Sequence, residues 1–188
     1  MAFPSKTTDE EIIGTAIDLV AQHGADHFTM AALAKALEVK PPSLYKRFAG
    51  RDAILAHVEH YVFKQFSLAL KQVSELQPRT AMRAFCYAHR TFAAKNPHLY
   101  PILFLPSLLD PQTARNIRYQ SAEPALAIFA DDPPSLALKK LRTVTAYVHG
   151  FVSIELASGF QMGGEVDDAF AFGVDTLCAS ITGSAPEA

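Results

Sequence analysis

The chain of 188 residues has no tryptophan and only two cysteines, Cys86 and Cys178. Two scattered thiols are too few for a disulfide framework or a zinc cluster. Both lie in apolar stretches, which reads as plain buried thiols and points to the cytoplasm. No run of about 18 apolar residues occurs, so no segment is expected to span a membrane. The first residues, MAFPSKTTDEE, lack a basic stretch followed by an apolar one, so no signal peptide is expected. Period-2 alternation is missing, which speaks against sheet. No G-x-S-x-G, H-E-x-x-H or P-loop is found, so neither an enzyme nor a cofactor is expected. Internal repeats and low-complexity segments are also lacking.

Hydrophobic residues make up 49% of the chain, enough for a sizeable core. The net charge is −2, but its distribution matters more than its sum. Lys35, Lys40, Lys46, Arg47 and Arg51 face only Glu38 across one short segment. The acids Asp9, Glu10, Glu11 and Asp18 precede it.

Apolar spacings of three and four recur throughout, so the expected class is all-α. Thr7 or Thr8, with Glu10 or Glu11 three residues on, predicts a capping box opening a first helix. Its expected apolar face is Ile13, Ala16, Ile17 and Val20, and Gly24 suits a left-handed terminator. Thr29 is expected to cap a second helix that carries Leu33, Ala34 and Leu37 inward. After a turn at Glu38 and Val39, Pro41 and Pro42 fit the first turn of a third helix running to about Phe48. A long fourth helix from Arg51 to about Gln77 follows. Further helices are expected from Thr80 to Lys95, from Asp110 to about Ala130 with a kink at Pro124, from Ser135 to Ser158, and from Val166 to Ile181. Asp131 to Pro134 reads as a linker.

Two short helices joined by a tight turn, with cations on the second, fit a DNA-binding helix-turn-helix. So short a helix must be anchored on a scaffold. Leu44 and Phe48, four apart, supply the inward face. Ser43, Tyr45, Lys46 and Arg47 then point outward, on a helix of about the width of a major groove. The plainer alternative is a solvated charged face. The conjunction with Thr29, Tyr45 and the turn favours DNA.

The same stretch, from Thr29 through Leu44-Tyr45-Lys46-Arg47-Phe48 to Arg51-Asp52 and Ile54-Leu55, resembles the TetR family of transcriptional regulators over residues 8 to 60. The resemblance implies phosphate contacts from Thr29, Tyr45, Arg47 and Arg51, and base-edge contacts from Pro42, Ser43 and Lys46. Lys40 stands where the family often has a capping Ser or Thr and is expected to add a phosphate contact. Glu38 stands where the family usually has Gly; a positive φ there costs about 1 kcal/mol. Farther on, AFCYAHRTFAAKNPHLYPILF and YVHGFVSIELASGF resemble the C-terminal domain of a TetR subgroup named for a Trp-His-Gly motif, here Val148-His149-Gly150. That likeness implies a helical dimerisation and ligand-sensing domain, and the family's usual mode is repression relieved by ligand.

The helix from Ser135 to Ser158 carries one stripe of Leu138, Leu141, Val148, Val152 and Leu156. A second stripe comprises Val144, Tyr147, Phe151 and Ile154. The last helix adds Val166, Phe170, Val174, Leu177 and Ile181. So wide an apolar surface calls for two partners, and a homodimer is expected across Leu141, Val148, Val152, Leu156, Phe170, Val174, Leu177 and Ile181. A thick monomeric core is the alternative. Between Thr80 and Ser158 the aromatic content exceeds what a core plainly needs. A pocket for a small apolar effector is expected at His89, Phe92, Tyr100, Phe104, Tyr147 and His149. Aromatics at helical spacing are, however, more often plain core, and His149 also suits a bond within the core.

The division expected is a helix-turn-helix domain over residues 1–50 and a helical effector-binding and dimerisation domain over residues 51–188, joined through the helix starting near Arg51. The partners expected are double-stranded DNA, an apolar effector and a second copy. The competing class is a helical protein-interaction module without DNA binding. His57 and His60 share a helix face but lack a further ligand, so no metal site is expected.

Overall fold

The computed structural model describes residues 7–71, 73 and 76–182, and these form eight α-helices and no strand. The helices are α1 (Asp9–His23), α2 (Met30–Ala36), α3 (Pro41–Tyr45), α4 (Arg51–Leu70), α5 (Pro78–Lys95), α6 (Pro111–Leu126), α7 (Pro134–Leu156) and α8 (Val166–Thr182). Contacts divide the chain into two compact units. The first comprises Met1–Gln65 with Asn96–Arg118, and the second Phe66–Lys95 with Tyr119–Ala188. These units are defined by contact and cut the chain elsewhere than the expected functional boundary at residue 50.

In the first unit, α1 opens with the expected capping box. The Thr8 hydroxyl accepts from the Glu11 amide and the Glu11 carboxylate accepts from the Thr8 amide. Its buried face is Ile12, Ala16 and Val20, while Ile13 and Ile17 are only half-buried. The expected face is thus rotated by one residue, because i, i+4, i+8 selects Ile12 as its first member. Gly24 ends α1 with φ 86° and ψ 157°. The positive φ was expected, but the conformation is an extended one that is nearly glycine-only, not the left-handed helical one. A 3-10 turn, Ala25–His27, leads to Phe28.

The chain returns to this unit after α5. A 3-10 turn over Tyr100–Phe104 buries Tyr100, Ile102 and Leu103, and buried Ile54, Leu55, Val58 and Val62 line α4. Asp110 then caps α6, its carboxylate accepting from the amides of Gln112 and Thr113 at 3.1 and 3.0 Å. A hydrogen bond from the Thr113 side chain, and after it these amides, hold the Asp110 carboxyl below its ordinary range.

In the second unit, α5 packs against both α7 and α8. Its buried face is Ala81, Met82, Phe85, Cys86, His89, Phe92 and Ala93. Val144, Val148 and Val152 of α7 and Phe170, Val174 and Cys178 of α8 are buried as well. Helix α5 begins at Pro78, two residues before the expected start. Proline is tolerated in a first turn, so Pro78 opens this helix and does not merely precede it. Helix α4 stops at Leu70, short of the expected Gln77, and both Leu70 and Val73 are buried. Pro124 lies inside α6 without stopping it at once; the helix tightens to 3-10 geometry at Ala127–Phe129.

Candidate nucleic-acid interface

The recognition segment is built as a cap, a turn and an anchor. The Thr29 hydroxyl accepts from the Ala32 amide at 3.1 Å and starts α2. Glu38 has φ 54°, the left-handed conformation in which it carries the cost weighed against glycine, and the Val39 amide donates back to the Ala34 carbonyl. Helix α3 starts after Lys40, which offers no side-chain cap, with prolines in its first turn. Regular helix ends at Tyr45, not at Phe48, but the amides of Arg47 and Phe48 still donate to the Leu44 carbonyl at 3.0 and 2.9 Å. Leu44 and Phe48 are buried as expected. Pro42, Ser43, Tyr45, Lys46 and Arg47 are all exposed, as are Thr29 and Lys40. One face of α3 is therefore fixed and the opposite face carries hydroxyls and cations, at a size suited to a groove.

Two cations have intramolecular roles that the sequence did not reveal. Arg47 pairs with Asp9 at 2.5 Å and also donates to the Thr7 carbonyl. Arg51 is half-buried. Its Nε donates to the Phe28 carbonyl at 3.0 Å, one Nη to the Ala25 carbonyl at 2.6 Å, and the other to Asp52 at 3.3 Å. Arg51 thus braces the 3-10 turn against the start of α4, and a phosphate contact would compete with these bonds. Ser43 donates to the Lys40 carbonyl at 2.7 Å, leaving its oxygen lone pairs for an incoming donor.

The side chains expected at an effector pocket fall in different units. Tyr100 and Phe104 belong to the first, their rings 5.4 Å apart, with Tyr100 buried and Phe104 exposed. His89, Phe92, Tyr147 and His149 belong to the second. His89 is buried edge-on to Phe66 and Phe85, at 4.9 and 5.6 Å between centroids. Burial, with a smaller contribution from nearby His149, pulls its pKa down to about 3. Phe92 packs on Phe66 at 5.2 Å. Half-buried Tyr147 donates to the Phe170 carbonyl at 3.3 Å. His149, also half-buried, shares a 3.3 Å contact with Ser153, and burial lowers its pKa. His57 is exposed, edge-on to Phe48 at 5.8 Å. The described residues contain no cluster of three or more potential metal ligands.

The expected dimer face needs correction. Val148, Val152, Phe170 and Val174 are buried within the single chain, where α5, α7 and α8 pack on one another. Leu141, Leu177 and Ile181 are half-buried and Leu156 is exposed, so these four remain available. Leu138, Ile154 and Phe172 are exposed as well, Phe172 to 76%. Another contact escaped the sequence reading. Arg90 makes a two-pronged bond to Glu155 and a 2.7 Å bond to Asp167, while lying 4.7 Å over the Phe170 ring. Nothing in sequence spacing links residues so far apart.

Residues 12–58 match the family model described as bacterial regulatory proteins, tetR family. Residues 82–177 match that of the tetracyclin repressor-like C-terminal domain. The chain is similar to YobS of Bacillus subtilis (strain 168), named an uncharacterized HTH-type transcriptional regulator. Identity is 24% over 181 residues, covering 93% of this chain and 92% of that one. It is 28% identical over 151 residues to the HTH-type transcriptional repressor Rv1353c of Mycobacterium tuberculosis (strain H37Rv), covering 79% of this chain and 58% of that one. Among solved structures, a TetR variant of Acinetobacter baumannii AYE in complex with minocycline superposes with a TM-score of 0.69 at 24% identity, covering 94% of this chain and 97% of that one.

Proposed function

From the premise that the chain belongs to the TetR family of bacterial regulatory proteins, we propose that it is a repressor released from its operator by a small apolar molecule. Membership makes it a DNA-binding transcriptional regulator with a helix-turn-helix; the mode of regulation and the effector class are our reading. The observation that carries it is the exposed face of α3, with Pro42, Ser43, Tyr45 and Lys46 outward over buried Leu44 and Phe48.

In this reading Pro42, Ser43 and Lys46 meet base edges while Thr29, Lys40, Tyr45 and Arg47 hold phosphates. Arg51 serves first as a brace. A homodimer sets two such helices about 34–36 Å apart, or a multiple of that spacing, over successive major grooves. Residues 1–50 read DNA and residues 51–188 sense the effector and dimerise, with α4 as the joint. Tyr147 and His149 are the polar handles proposed for the effector, since both are half-buried polar groups and Tyr147 lies against the rings of Phe151 and Phe170. A finer kinship with the Trp-His-Gly subgroup rests on His149 and Gly150.

An effector that prefers the state with splayed reading heads lowers DNA affinity by its differential binding free energy. The test is a promoter-fragment selection with purified protein, followed by competition with compounds that raise its melting temperature. Near-palindromic sites, a log–log salt slope of about −5 to −7, and release by apolar compounds are expected. Failure to retain any DNA at low salt would instead favour a protein-interaction module, and stabilising compounds that never alter DNA affinity would remove the effector role.

A further inference from the structure

Within the first unit a cleft of about 170 Å³ opens between the 25–28 turn, the start of α4 and the segment after Tyr100. Leu55, Ile102, Leu105 and Pro106 give it apolar walls, and Asp26, Arg51 and Glu59 are its charged lining. Glu59 is only 3% exposed. Its two oxygens accept from the Ser107 hydroxyl at 2.6 Å and the Leu108 amide at 2.8 Å. Both donors are neutral, and among the described residues no cation forms an ion pair with Glu59. Arg51 lines the same cleft, but its nitrogens already donate to Phe28, Ala25 and Asp52.

A buried carboxylate without a counter-cation is costly, and a cation brought to it recovers Coulomb energy at low dielectric. The apolar walls ask for a carbon skeleton, and a dry cavity of about 150 Å³ accommodates benzene. We propose that this cleft binds a small organic cation: a single ring bearing an ammonium group, with the ring against Leu55 and Ile102 and the charge toward Glu59. An anionic ring is disfavoured because Glu59 and Asp26 oppose it while Arg51 is occupied. This site lies in the first unit and is distinct from the effector region around Tyr147 and His149.

The test titrates the full chain with benzylamine, which is cationic at pH 7, and with benzoate and benzyl alcohol as probes of equal size. Calorimetry reads affinity, and methyl resonances of Leu55, Ile102 and Leu105 read location. Benzylammonium is expected to bind at least about tenfold more tightly than either analogue, with those methyls shifted. Glu59→Gln should abolish the preference. Should that variant misfold, Leu105→Trp provides the second arm: Leu105 is half-exposed, so a larger side chain fills the cleft without disturbing the charge. Equal binding of the three probes, no binding of benzylammonium to the native chain, or binding unaffected by Leu105→Trp would each overturn the proposal.

Discussion

Arg47 on the reading segment and Asp9 in the first turn of α1 form an ion pair at 2.5 Å, so the cation proposed to hold a phosphate is already paired with an acid of its own chain. Both groups are substantially exposed, and such a pair contributes no more than about 1 kcal/mol. A phosphate can therefore displace Asp9, but it does so in competition.

Asp9→Asn should accordingly strengthen DNA binding by up to about fivefold, without changing sequence preference. Arg47→Ala should weaken binding to all sequences and lower the salt slope by about one. Fluorescence anisotropy over a salt series measures both. Weaker binding by Asp9→Asn would mean that the pair orders the reading head more than it competes with DNA.

Glu38 holds φ 54° on an exposed turn. Replacing it by glycine relieves about 1 kcal/mol of left-handed strain, in part offset by the greater freedom of the unfolded chain. A rise in melting temperature of about 2–4 °C at most is expected, whereas Glu38→Val should lower it. A scanning calorimeter decides the matter, and a drop on Glu38→Gly would remove the strain assignment.

His89 stays neutral in the folded chain down to about pH 3, while its ordinary value is 6.5. Between these values the unfolded state holds the extra proton, so stability rises with pH across this window and is fully present above about 6.5. Acidification from pH 7.5 to 5 should lower the urea midpoint. In His89→Phe the dependence on pH should flatten, whatever that variant does to absolute stability. An unchanged slope would assign the acid sensitivity to other groups.

Phe172 is exposed to 76% on α8, whereas Val148 is wholly enclosed. Phe172→Asp should convert a dimer to a folded monomer, seen as a halved mass in light scattering with unchanged helical circular dichroism. Val148→Asp should instead unfold the second unit, because it buries an unpaired charge. A Phe172→Asp chain that remains dimeric would move the interface away from this part of α8.

Local chemistry was readable in the sequence. The Thr8–Glu11 box, the Thr29 cap and the helix start at Asp110 each involve residues within a few positions of one another, and each is in place. Which half of an apolar stripe faces inward was not readable. Periodicity marked Val148 and Leu156 alike, but only the packing of α7 against α5 and α8 determines that Val148 is enclosed and Leu156 exposed. The bracing role of Arg51, whose phosphate contact is implied by the TetR resemblance, was not readable for the same reason. Its carbonyl acceptors at Ala25 and Phe28 become neighbours only once the chain has folded. Glu59 went unnoticed because an acid on a helix gives no sign that Ser107 and Leu108 will cover it.

The bonds from Ser107 and Leu108 to Glu59 have a bearing on modularity. The unit that carries the reading head is discontinuous in sequence, so it is incomplete on the ribosome until residues beyond 108 have emerged. A chimeric regulator spliced just after residue 65 would strip Glu59 of its two donors and uncover the apolar side of α4 beside it. Transplanting this reading head onto a foreign sensor therefore requires the 96–118 segment to travel with it as a second insert.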